Sequence, residues 1–143
     1  MSSIQSIHWG RALLTACIAM LLMIASAFFW VFIYSAFIEP GHSHEFYEAY
    51  AQKASPIESI VFGIPFFLYI GWLTARKVKV AVYENVFVLW AFYLLIDVLI
   101  TTVGFDASPF DMLGIWFTAH STKLGMLLLG GFLALRQAEK SAE

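Results

Sequence analysis

Four apolar stretches, residues 12–38, 57–75, 80–103 and about 110–135, decide what this chain can fold into. Each is close to or beyond the roughly 20 helical residues needed to cross a bilayer core. Backbone groups in lipid must be satisfied within the segment, so each stretch is expected to be a helix. The chain is 61% hydrophobic and 13% charged, with a mean hydropathy of +0.79. A soluble domain would run nearer 45–50% and about 25%. The expected fold is all-α: a polytopic integral membrane protein with one domain over residues 1–143, a bundle of four transmembrane helices.

Arg11, the apolar run from Ala12 and Ala25-Ser26-Ala27 imitate a cleavable leader. The run continues through Phe28 to Tyr34, so an uncleaved first helix is expected. Cys17 is the only cysteine, which excludes an intrachain disulfide and CxxC redox chemistry.

Charge sets the orientation. Arg11, Arg76, Lys77, Lys79, Arg136 and Lys140 would share one side, with only Lys53 on the other. The positive-inside rule then puts both termini in the cytoplasm, in a cell membrane or a bacterial inner membrane. The outer face carries Glu39, Glu45, Glu48, Glu58, Asp106 and Asp111. In the outer loop, 39–55, Ser43 is a candidate cap for a short helix to about Ala54. Phe46, Tyr47 and Tyr50 on one face make it a candidate interfacial amphipathic helix. Ser55-Pro56-Ile57-Glu58 and Ser108-Pro109-Phe110-Asp111 both read as helix starts: a Ser cap, Pro at the first position and an acid at the third.

Asp97, His120 and Lys123 fall inside the apolar stretches. An ionisable group at membrane depth costs roughly 2.5–3.5 kcal/mol on insertion scales, so such groups pair and face the bundle interior. At 1.5 Å rise per residue, Asp97 lies roughly 9 Å from the outer end of helix 3, His120 roughly 16 Å deep and Lys123 roughly 21 Å deep. Side chains lean toward their helix N-termini, which brings Asp97 toward both. An Asp97–His120 contact is expected, and an Asp97–Lys123 contact through the lysine stem or a water.

Helical stepping gives Trp90, Tyr93 and Asp97 one face of helix 3, and Trp116, His120 and Lys123 one face of helix 4. Glu58, Tyr69 and Trp72 share a face of helix 2. The opposite face of helix 4 (Gly114, Thr118, Ser121, Gly125) reads as a small-residue packing stripe. The expected site is an outward-opening pocket. Asp97, His120 and Lys123 form its floor, Tyr69, Tyr93, Trp90 and Trp116 its walls, and Glu58 lies at its mouth. The same trio could instead be a structural ion pair. His42, His44 and Glu45 have metal-capable side chains but match no strong template, so no metal site is expected. His120 is the only histidine at membrane depth, which leaves no bis-histidine haem site within one chain.

Three classes of function fit. The first is binding or transport of a small hydrophobic, amphipathic or cationic molecule, with Asp97 neutralising charge and aromatic walls supplying cation–π contact. The second is an accessory subunit of a larger membrane complex. The third is an intramembrane acid–base enzyme, isomerase-like, on a lipid-like substrate, using His120 and Asp97. The lipid bilayer and either a homodimer or a larger complex are the expected partners, with no nucleic acid and no cofactor named.

Topology is directly testable. Reporters fused after Lys140 and at the Lys77 turn should both read as cytoplasmic, while one at Gly41 should not. A cytoplasmic Gly41 would invert the arrangement.

Overall fold

A computed structural model describes residues 7–78, 80–104 and 113–141. Helix α1 covers Trp9–Ile33 and ends in a π-helical turn, Tyr34–Ile38. Helix α2 covers His44–Lys77, and α3 covers Val82–Leu99 with a second π-helical turn at Ile100–Gly104. Helix α4 covers Leu113–Lys140. No strand occurs among the described residues.

The helices Trp9–Ile38, His44–Lys77 and Val82–Val103 are long and apolar enough to cross a membrane. Helix α4 has the length, with 28 residues. Thr118, His120, Ser121, Thr122 and Lys123, clustered in two of its turns, lower its hydropathy and keep it out of that set.

The separate outer amphipathic helix does not exist. Ser43 does cap, its Oγ accepting from the Phe46 amide at 3.4 Å, but the helix it starts is α2, which runs unbroken through Pro56 and Pro65. A mid-helix proline forfeits one backbone hydrogen bond and crowds the carbonyl four residues back, at about 3 kcal/mol. Helix formers on the N-terminal side (Ala49, Ala51, Gln52, Lys53, Ala54) oppose a break. The outer stretch is also pinned to α1. Trp30 Nε1 donates to Tyr50 Oη at 2.9 Å, and the Tyr34 and Tyr50 rings stack 3.5 Å apart. Glu58 is therefore a mid-helix residue and not part of a capping box. The matching start at Ser108-Pro109, with Phe110 and Asp111, lies outside the described residues, as do Lys79 and Asp106.

The four helices form a square whose order around the perimeter is α1, α2, α4, α3. Contacts Ser26–Glu58 and Trp30–Tyr50 make α1 and α2 antiparallel, and Tyr93–Lys123 with Asp97–Trp116 makes α3 and α4 antiparallel. Helices α2 and α4, joined through α3, run parallel and make the closest contact in the bundle. A Cβ built on Gly71 would collide with the Leu127 backbone, and one on Gly130 with the backbone of Leu68 and Trp72. In lipid, where burying apolar surface gives no drive, such backbone approach is what holds helices together. The core on the side of the α2–α3 turn is filled by Phe67, Val86, Leu89 and Leu127, all essentially inaccessible.

One face differs from expectation. Gly114, Thr118, Ser121 and Gly125 point outward, and neither glycine has a neighbour within 4 Å of an added Cβ. The buried face of α4 is instead Ala119, His120, Lys123, Leu127, Gly130, Gly131 and Ala134. Rotated this way, the helix turns His120 and Lys123 into the bundle. On α1, the buried stripe is Ala12, Ala16, Ala19, Met20, Met23 and Ser26. Phe28, Phe29, Phe32 and Phe37 face outward.

This geometry separates the glycines. Gly71→Ala and Gly130→Ala should each destabilise the bundle by about 2 kcal/mol or more, because backbone cannot yield to a methyl group. Gly125→Ala should be neutral or stabilising by up to about 1 kcal/mol through helix propensity. Reversible unfolding in mixed micelles would show the difference; equal effects at all three positions would contradict the close crossing.

Candidate functional site

Polar side chains from all four helices meet at one level of the bundle. Helix α3 presents Trp90, Tyr93 and Asp97, three and four residues apart, to α4, which answers with Trp116, His120 and Lys123 at similar spacing. Helix α2 contributes Glu58, Ser59 and Gly63, and α1 contributes Ser26.

His120 is 3% exposed, and its Nε2 lies 3.0 Å from Asp97 Oδ2. A carboxylate oxygen only accepts, so against the carboxylate Nε2 is the protonated ring nitrogen. Trp116 Nε1 donates to the same Oδ2 at 3.2 Å, and its ring sits 4.4 Å from the imidazole. Trp90 Nε1 donates to the His120 carbonyl at 3.1 Å. The expected Asp97–His120 contact is thus present, framed by two indoles.

Lys123 does not reach Asp97. It is 2% exposed and its Nζ donates to Ser59 Oγ at 2.7 Å and Tyr93 Oη at 3.1 Å. The ammonium also lies 4.9 Å from the centre of the Tyr93 ring. Its stem rests on Gly63, where an added Cβ would stand 3.3 Å from Lys123 Cε. Among the described residues no carboxylate is within 4.0 Å of this ammonium. Hydroxyls, not a counter-ion, bind the lysine, and a bare glycine makes room for it.

Glu58 is buried, and Ser26 Oγ donates to its Oε1 at 2.6 Å. Of the remaining sequence candidates, Tyr69 stays apart. It is 59% exposed and stacks on Trp72, on the outside of the bundle. His42, His44 and Glu45 are exposed and do not gather into one donor set. His42 stacks on Phe46 at 4.1 Å, and His44 Nε2 lies 3.2 Å from Glu48 Oε1. Ser59 and Gly63 were not apparent from sequence, because a search for charge partners passes over a hydroxyl and a missing side chain.

Glu58, His120 and Lys123 are buried in the cluster, while Asp97 keeps part of its surface exposed. One cavity, of about 10 Å³, lies at the other end of the bundle between His8, Arg11, Thr15, Thr74 and Asn85. It is the size of a single water. The apolar plug of Phe67, Val86, Leu89 and Leu127 lies between it and the cluster. One buried polar atom is unpartnered among the described residues: His120 Nδ1.

No protein-family model, no curated protein and no solved structure matches this chain.

The distances predict unequal couplings. Asp97→Ala leaves two donors without an acceptor and should destabilise by about 2–4 kcal/mol. In double-mutant cycles Asp97 should couple to His120 by about 1 kcal/mol or more, but to Lys123 by less than about 0.5 kcal/mol. A stronger coupling to Lys123 would contradict the hydroxyl-bound lysine.

Proposed function

We propose that the chain spans the membrane four times, with both termini cytoplasmic, and that its outer-half polar cluster binds a small cationic or amphipathic molecule. The observation that supports this is the composition of the cluster. Two carboxyl groups, buried Glu58 and partly exposed Asp97, stand against one ammonium, Lys123, when His120 is neutral. A formal excess of one negative charge in a low-dielectric surrounding favours a cation. Trp90, Tyr93 and Trp116 supply the faces that hold its apolar parts. Asp97 is the point of entry, since its side chain retains 25% exposure whereas His120 retains 4%. Binding at the outer face fits better than transport by one copy, because the plug and the Gly71 and Gly130 crossing seal the bundle beneath the site.

A second reading rests on a different observation. A histidine oriented by a carboxylate through one nitrogen, with the other nitrogen unpartnered, is the arrangement of a general base. In that reading a lipid-like substrate offers its proton to His120 Nδ1.

Asp97→Asn keeps the shape and one amide oxygen able to accept from both His120 and Trp116 while removing the charge. Binding of a radiolabelled alkylammonium to purified protein should fall at least tenfold in Asp97→Asn with helicity unchanged. Unaltered binding would reject the cation site. If His120→Gln abolishes turnover of a lipid-like substrate while alkylammonium binding persists, the enzyme reading takes precedence.

A further inference from the structure

We propose that the basic end of the bundle carries a binding site for the headgroup of an anionic phospholipid, built on the last two turns of α4 and the end of α2. A groove of about 350 Å³ runs along α4 between Leu133, Arg136, Gln137 and Lys140. These residues recur at three- and four-residue intervals, so they form one continuous strip of the helix surface. Gln137 ties the strip to α2: its Oε1 accepts from Trp72 Nε1 at 3.3 Å. The same indole carries Arg76, whose guanidinium lies 4.6 Å from the ring centre. Arg76 thus lies on the ring to which Gln137 is tied, Arg136 and Lys140 line the groove with Gln137, and none of the three cations has a carboxylate within 4.0 Å among the described residues. Glu139, in the same turn of α4, forms no ion pair with them.

The surroundings favour a lipid over a free anion. Below the groove Leu129, Phe132 and Leu133 are 42%, 48% and 43% exposed, which provides an apolar track for acyl chains. Trp72 sits where the apolar surface gives way to charge, the level at which indoles anchor a membrane interface. A guanidinium suits a phosphate through paired donors, and an ammonium adds a point charge. The carbonyl end of α4 opposes an anion with only about half a unit charge, outweighed by the three full positive charges. The site needs only a membrane around this end of the bundle. It is independent of the cluster around Asp97.

Purified protein in neutral detergent should retain phosphatidylglycerol over phosphatidylcholine of the same chains when examined by native mass spectrometry. Arg136→Gln with Lys140→Gln should lower that preference roughly 25-fold, at about five-fold per basic residue near a membrane surface. Arg136→Lys with Lys140→Arg should preserve it, and Lys53→Gln, at the opposite end, should leave it unchanged. Phosphatidylglycerol brominated on its chains should quench the wild-type protein's fluorescence more than brominated phosphatidylcholine, a difference that disappears in Trp72→Phe. This second measurement stands even where the glutamine variant fails to fold. Equal retention of the two lipids would overturn the proposal. So would an unchanged preference in the glutamine variant, a quenching difference that persists without Trp72, or displacement of the lipid by millimolar inorganic phosphate.

Discussion

The approach of α2 to α4 at Gly71 and Gly130 is the constraint from which the other contacts follow. Two helices can run this close only where neither carries a side chain at the crossing, and here each helix supplies one such position. The crossing fixes the register between the parallel helices. Two turns from the crossing, that register lays the Lys123 stem across Gly63 and brings its ammonium to Ser59. Helix α3 then fits against the pair through Tyr93 and Asp97, and α1 closes the square with an alanine stripe and Ser26.

The bundle is thereby divided into two zones. The half nearer the α2–α3 turn is apolar, dense and locked by backbone contact. The half nearer the α1–α2 connection is a hydrogen-bonded assembly in which the buried polar side-chain atoms of the described residues have partners, His120 Nδ1 excepted. Helices α1 and α3 both finish in π-helical turns. Such wide turns are uncommon and often mark functional positions.

Much of this was legible in the sequence, and the misreadings share a cause. Helix existence followed from apolar length. The meeting of Asp97 with His120 followed from depth arithmetic and from the lean of helical side chains. The continuous α2 was not legible, because Ser-Pro followed by an acid is the ordinary signature of a helix start, and what carries the helix through Pro56 is contact between Tyr50 and α1. The packing face of α4 was misread for a related reason. Small residues occur on two of its faces, and only the need to bury His120 and Lys123 decides between them. Lys123 was matched in advance to a carboxylate, whereas its partners are two hydroxyls. The exposure of Tyr69 depends on the rotation of α2 that Gly71 imposes. In each case the local pattern was correct and a tertiary contact chose among its meanings.

The polar face of α4 also bears on how the protein is made. Its hydropathy falls short of the other three helices, so under the four-span reading it partitions poorly into lipid when it emerges alone from the ribosome. Among the described residues its lysine and histidine find their side-chain hydrogen-bond partners on α2 and α3, which are synthesised first. On that reading, insertion of α4 is an act of assembly, in which the earlier helices serve as the solvent that admits it. A change at Ser59 or Tyr93 would then be felt during biosynthesis, as failed membrane integration of a helix in which neither residue lies.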